Sequence, residues 1–140
     1  MLRISSVALA LFLSFHLSHA SAQESSKENF YSLPQLKKIS LQEGSVYQTE
    51  GYVIMQYECP PCPKDAVCQT CPPPYVIISA RKKTIEYPDQ MGANDLPATL
   101  FKGPVCELGK KYRWKLRFSK TPSFFGKDPN FEVVEAEIEK

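Results

Sequence analysis

The segment that most restricts this chain is residues 58–75, reading ECPPCPKDAVCQTCPPPY. It holds four of the five cysteines as two C-x-x-C pairs, Cys59/Cys62 and Cys68/Cys71, and six of the twelve prolines. Cys59 and Cys71 are equally far from Asp65, and so are Cys62 and Cys68. Mirror spacing of this kind is expected at the tip of a hairpin whose two strands run in opposite directions. The flanks, GYVIMQY at 51–57 and YVIISA at 75–80, have the β-branched and aromatic content of strands. Opposed residues of an antiparallel pair have Cα atoms roughly 4.5–5.5 Å apart, within reach of a disulfide. Pro60, Pro61, Pro63, Pro72, Pro73 and Pro74 bring no amide hydrogen, so a regular ladder cannot run on into the tip.

Three chemistries fit the four thiols. Nested disulfides, Cys59–Cys71 outside Cys62–Cys68, follow from the mirror spacing in an oxidising compartment. The outer bridge would close a loop of about thirteen residues, worth about 3 kcal/mol through the unfolded chain's lost entropy. A four-thiolate zinc site is the alternative, since two C-x-x-C knuckles are a common ligand supply. The five residues between the knuckles are few against the usual ~15–20. A redox dithiol at Cys59-Pro-Pro-Cys62 is the third, but reactive pairs of that kind sit at a helix N-terminus, and no helix pattern is visible here. Zinc is thus the one cofactor that enters, and only under the second chemistry.

The compartment is read from the other end. One cation at Arg3, an apolar stretch over 7–13 and the small residues Ala20, Ser21 and Ala22 make residues 1–22 a secretory signal peptide, too short to span a membrane. The remainder has the length of one domain, secreted or periplasmic, with no second apolar run of membrane length. Both histidines, His16 and His19, belong to the leader. Without them the mature chain has no Ser-His-Asp or Cys-His nucleophile system and no histidine ligand. Its basic and acidic side chains then differ by one, so nothing in the charge balance argues for a nucleic-acid or anionic-membrane partner.

Residues 23–44 read as a polar lead-in followed by a short strap, with Ser32 capping a helical turn that contains Pro34. Residues 45–58 form the first long strand, with Tyr47, Thr49, Val53, Met55 and Tyr57 on one face. Gly51 interrupts it and is expected at a bend or bulge. Tyr52 and Ile54 break the polar face, with Val76 and Ile78 expected opposite them. A cover is therefore expected outside the hairpin, and Phe30, Tyr31 and Leu33 of the strap are its nearest source. A short third strand is expected at 84–87, loop chemistry at 88–97, and a brief strand or turn at 98–101. Cys106, remote from the other four, is expected to be buried and inert.

Residues 112–118 carry the clearest period of two: Tyr112, Trp114, Leu116 and Phe118 alternate with Arg113, Lys115 and Arg117. The three cations are a candidate ligand surface. They better suit a solvated face paired with the last strand, where Glu132, Glu135, Glu137 and Glu139 surround Phe131, Val133, Val134, Ala136 and Ile138. The inward parity changes between Val133 and Val134, as a one-residue bulge would make it.

Residues 45–140 are accordingly expected to form a small antiparallel five-stranded β-barrel domain with a cysteine-rich hairpin tip, or alternatively an open β-sandwich. The layout resembles the OB fold: a long bent strand, its hairpin partner, a short third strand, an irregular crossover and two closing strands. That resemblance is one of order, carried by no residue motif. It implies a ligand-binding barrel, and export turns the expectation from nucleic acid toward a protein or glycan. No phosphate loop, metalloprotease signature or calcium loop is present in the sequence. The function expected is an exported, non-enzymatic binding or structural module. A metal-binding or thiol–disulfide handling protein built on Cys59, Cys62, Cys68 and Cys71 is the alternative.

Overall fold

The computed structural model describes residues 29–101 and 106–140; the leader expected at 1–22 lies outside them. Five strands share one sheet: β1 (Val46–Tyr57), β2 (Tyr75–Ser79), β3 (Leu96–Thr99), β4 (Lys111–Ser119) and β5 (Asn130–Ile138). The sheet closes into a ring in the order β1-β2-β3-β5-β4, because β1 pairs with both β2 and β4. An open sandwich is therefore not the architecture. Four seams are antiparallel, while β3 and β5 run parallel through Ala98/Phe131 and Thr99/Glu132. The all-antiparallel expectation fails at that seam for a topological reason. Strand directions cannot alternate all the way round a closed ring of odd number.

β1 serves two partners by bending. Residues 46–52 pair with β4 and residues 52–57 with β2, with a register shift between Val53 and Met55. The expected bulge thus sits beyond Gly51, and the glycine has another role. A Cβ at Gly51 would lie 2.6 Å from Ile78 Cγ2 and 2.9 Å from the Ser79 carbonyl oxygen. Only a residue without a side chain lets the two strands approach that closely at the bend.

The inside of the ring is filled by Val53 of β1, Val76 and Ile78 of β2, Leu96 and Ala98 of β3, Trp114 and Leu116 of β4, and Phe131 and Val133 of β5. One helical turn, α1 (Leu33–Leu36), adds Leu33 and Leu36 to the same core. Ser32 precedes it as expected: its backbone N–H donates to Gln35 Oε1 at 2.8 Å, and Pro34 lies in the first turn. The strap therefore completes the inner core and does not cover the outside of the hairpin.

The cover comes from elsewhere. Ile54, Tyr75 and Ile77 form a second buried cluster outside the ring, packed by Ile85, Met91 and Phe125. The register explains the exchange: after the shift in β1, Val53 faces Ile78 and Met55 faces Ile77. Val76 and Ile78 thus point inward, contrary to their expected place beside Tyr52 and Ile54. All of β2 is buried on both faces. Residues 84–87, expected as a strand, instead lie across this outer face, held by a hydrogen bond from the Ile85 N–H to the Ile54 carbonyl at 3.0 Å. The third strand is Leu96–Thr99, which accommodates Pro97 near its start, where a missing amide hydrogen costs little.

β4 and β5 follow the sequence pattern closely. Tyr112, Trp114 and Leu116 are buried while Arg113 and Arg117 are exposed. The register of β4 against β5 shifts between Lys115 and Leu116, leaving Val134 as the extra, exposed residue of a bulge. Among the described residues, no helix is long and apolar enough to cross a membrane.

One core group is out of keeping. Thr49 is fully buried opposite Trp114, and among the described residues its Oγ1 has no hydrogen-bond partner. Burying an unpaired hydroxyl is unfavourable, and valine has nearly the same shape. Thr49→Val is therefore expected to raise stability by about 1 kcal/mol in urea denaturation. A loss of stability would show that the hydroxyl is satisfied after all.

Candidate functional site

The ladder between β1 and β2 ends at Tyr57/Tyr75, whose rings stack with centroids 5.1 Å apart. The Phe125 ring meets Tyr75 edge-on at 4.6 Å. Burial raises the Tyr75 phenol above its ordinary range, and the neighbouring Tyr57 adds to the effect. Beyond this aromatic base the chain leaves the body of the domain. Residues 58–70 are all exposed, and none of them belongs to either buried cluster.

Two covalent bonds order the projecting tip. Cys59 is bridged to Cys71 and Cys62 to Cys68, with Cα atoms 5.8 and 5.9 Å apart. This is the nested pairing that the mirror spacing implies. With both bridges closed, the four sulfurs carry no thiolate for zinc. The bridges also run across the hairpin instead of within each C-x-x-C, so Cys59/Cys62 is not a redox pair of the thioredoxin kind. One residue, Glu58, separates bridge from ladder on the way out, and Pro72, Pro73 and Pro74 separate them on the way back. That mismatch, with three residues lacking an amide hydrogen, ends the ladder where the prolines were expected to end it.

The tip presents a mostly apolar concavity of about 660 Å³, lined by Pro60, Pro61, Pro63, Gln69 and the four bridged cysteines. Val67 stands fully exposed beside them in the chain. At its base lies a second recess, about 360 Å³, whose apolar lining is Pro73, Phe101, Pro122 and Phe124. The Leu100 N–H donates to the Pro74 carbonyl at 2.8 Å, which ties the end of β3 to the root of the tip. Phe101 and Phe124 are each more than 60% exposed. Large apolar side chains held at the surface next to a rigid projection are unusual unless something covers them.

The candidate surface Arg113, Lys115 and Arg117 is differently disposed. Lys115 Nζ lies 2.9 Å from Glu135 and Arg117 Nη1 lies 3.6 Å from Glu132, while Arg113 is in register with Glu137 and with Glu50. The hydrogen bond and charge of Lys115 hold the Glu135 carboxyl below its usual range. Nearby, Lys111 sits between Glu139 at 2.6 Å and Glu50 at 3.1 Å; its hydrogen bonds to Glu139 and then Glu50 raise its pKa. This face is a ladder of alternating sign, not a cationic groove.

Cys106 is buried, as expected, and burial pushes its thiol up to about 11. At neutral pH it is protonated and a poor nucleophile. Trp114, a stacking candidate by type, is sealed in the core with its Nε1–H donating to the Gly51 carbonyl at 3.1 Å. Among the described residues, no group of three or more His, Cys, Asp or Glu side chains is placed to hold a metal ion.

Phe101, Phe124 and Phe125 were not singled out by sequence reasoning. Their signal was present in part: paired aromatics between Pro122 and Gly126 occupy a turn-rich segment where no strand periodicity requires them. Comparison of the chain with protein-family models, with curated proteins and with solved structures finds no match.

Proposed function

We propose that this chain is an exported, non-enzymatic binding module built on an OB-like barrel. Its disulfide-braced tip and the adjoining phenylalanines would engage a protein partner. The closing order β1-β2-β3-β5-β4 with one parallel seam supports the OB-like assignment. Two disulfides are consistent with an oxidising compartment, in keeping with the leader read at 1–22.

OB barrels commonly bind oligonucleotides or oligosaccharides on the outer face of strands 2 and 3, between two loops. Here Ile85, Met91 and Phe125 of the chain itself pack against the outer side of β2. The single observation carrying the proposal is what remains outside: an apolar surface of prolines, bridged cysteines, Phe101 and Phe124, kept in shape by two covalent bonds. Prolines and disulfides lower the entropy lost on docking. Exposed aromatics beside a rigid rim have the make-up of binding hot spots. Between Cys59 and Cys71 only Gln69 and Thr70 bring an amide or a hydroxyl, which favours a protein over a glycan there.

The test is site-specific photo-crosslinking in the native host. A benzophenone side chain replacing Phe124 should give a discrete protein adduct; one replacing Glu137 on the charged ladder should not. Excess unmodified protein should compete the adduct away, and excess of a Phe101→Ser/Phe124→Ser variant should not. Equal labelling from both positions, or equal competition by the variant, would overturn the proposal.

A further inference from the structure

A third concavity, of about 380 Å³, opens between the end of β2 and the segment that returns to β3. Its floor is apolar, made by Ile54 and Ile85, which the backbone hydrogen bond between them holds in place. Its rim carries two cations, Arg81 and Lys83, that come from a tight turn in which the Lys83 N–H donates to the Arg81 carbonyl at 2.9 Å. Ser79, Thr84 and Gln90 add two hydroxyls and an amide. The Gln90 Oε1 already accepts the Glu86 N–H at 3.0 Å, which leaves its amide hydrogens turned to other uses.

A run of cations at a turn is ordinarily no more than a solvated surface. What sets this one apart is the cavity beside it. Neither Arg81 nor Lys83 forms an ion pair with a described residue, a condition shared with Lys82, Arg113, Lys120 and Lys127, but these two line a concavity. Asp95 lies on the same cavity wall, buried to 7% exposure. Its Oδ2 accepts the Gly92 N–H at 2.7 Å, while its Oδ1 has no partner among the described residues and is not sealed off. A buried carboxylate oxygen that meets neither a donor nor a wall opens onto the cavity itself.

We propose that this cavity binds an anionic sugar unit of an acidic polysaccharide, through its carboxylate or sulfate group. The site lies apart from the tip and does not depend on what the tip binds. Arg81 and Lys83 take the anionic group, the guanidinium supplying a planar fork that matches carboxylate or sulfate oxygens. Asp95 Oδ1 and the Gln90 amide take ring hydroxyls, and the isoleucine floor meets the sugar's C–H face. The volume lies at the lower end of the range for small-ligand sites. A nucleic acid fits less well, because no aromatic ring lines the cavity to stack a base.

Calorimetric titration of the purified chain distinguishes the cases. The probes are oligogalacturonate (carboxylated), heparin-derived tetrasaccharide (sulfated), cellotetraose (neutral) and a single-stranded oligonucleotide. One or both acidic saccharides should bind, more weakly as salt rises. Arg81→Gln/Lys83→Gln should weaken that binding at least about tenfold, and which saccharide responds identifies the anionic group. Lys120→Gln/Lys127→Gln, with the same change of net charge, should leave it unchanged, as should Phe101→Ser/Phe124→Ser at the base of the tip. The inference is overturned if neither acidic saccharide binds, if cellotetraose or the oligonucleotide binds as tightly, or if the control pair weakens binding equally. Both cations are exposed, so the variants should melt with the wild type, and that check accompanies the titration.

Discussion

Replacing Trp114 with alanine is expected to lower the stability of the domain by about 3–5 kcal/mol. The side chain has no exposed surface and lies at the heart of the ring, opposite Thr49 of β1 and Ala136 of β5. The Tyr112 ring packs against it with centroids 5.2 Å apart. Removing the indole leaves a cavity that three strands border, and a closed sheet can collapse into it only partly. The indole also has a polar duty, since its Nε1–H satisfies the Gly51 carbonyl at the point where β1 bends. Trp114→Phe keeps most of the apolar volume but loses that hydrogen bond, so a smaller loss of about 1–2 kcal/mol is expected from it. Domains of this size are stable by only ~5–15 kcal/mol, so the alanine variant should unfold at much lower urea concentration. Circular dichroism is the proper probe, because Trp114 is the single tryptophan and its fluorescence goes with it. An alanine variant within about 1 kcal/mol of the wild type would contradict the packing described.

The second large effect concerns the two bridges, which should not contribute equally. Opening the outer bridge in Cys59→Ser/Cys71→Ser is expected to cost about 3 kcal/mol. The bridge closes a sequence separation of 12 and acts mainly by restricting the unfolded chain. With the outer bridge intact, the inner one spans a separation of only 6 within a loop already confined. Cys62→Ser/Cys68→Ser should therefore cost about 1 kcal/mol or less. Because residues 58–70 take no part in either buried cluster, the ring should keep its far-ultraviolet spectrum in both variants. Limited proteolysis should then cut the unbridged tip while leaving strands β1 and β2 whole. Equal losses from the two variants, or a collapse of the sheet on opening either bridge, would mean that the tip is integral to the core.

Much of this architecture could be read locally. The alternation from Tyr112 to Phe118, the parity change at Val133/Val134 and the capping of the turn at Ser32 each depend on geometry within a few residues. The mirror spacing about Asp65 pointed to a nested pairing but left a zinc site and a redox dithiol open, and the two closed bridges decide among them. The errors fell where a residue's environment is set by distant chain. β3 was misplaced because it is four residues long, contains Pro97, and owes its order to β2 on one side and to β5 on the other. Its parallel seam to β5 joins Ala98 to Phe131, far apart in sequence.

The candidate surfaces divide in the same way. The cysteine cluster announced itself, whereas Phe101 and Phe124 come together only because the end of β3 is tied to Pro74 and the β4–β5 loop folds over. The pairing of Arg113, Lys115 and Arg117 with the acidic last strand was legible in the sequence, and the register fixes which glutamate meets which cation: Glu137, Glu135 and Glu132.

What the amino-acid order settled alone was the strand character, the proline-rich hairpin tip and the two-sided burial of β2, because period, proline and cysteine spacing act along the chain. What tertiary structure decided was the parallel seam, the residues covering the outer sheet and the close approach at Gly51. Those depend on which distant segments meet, and closing a ring constrains all five strands at once.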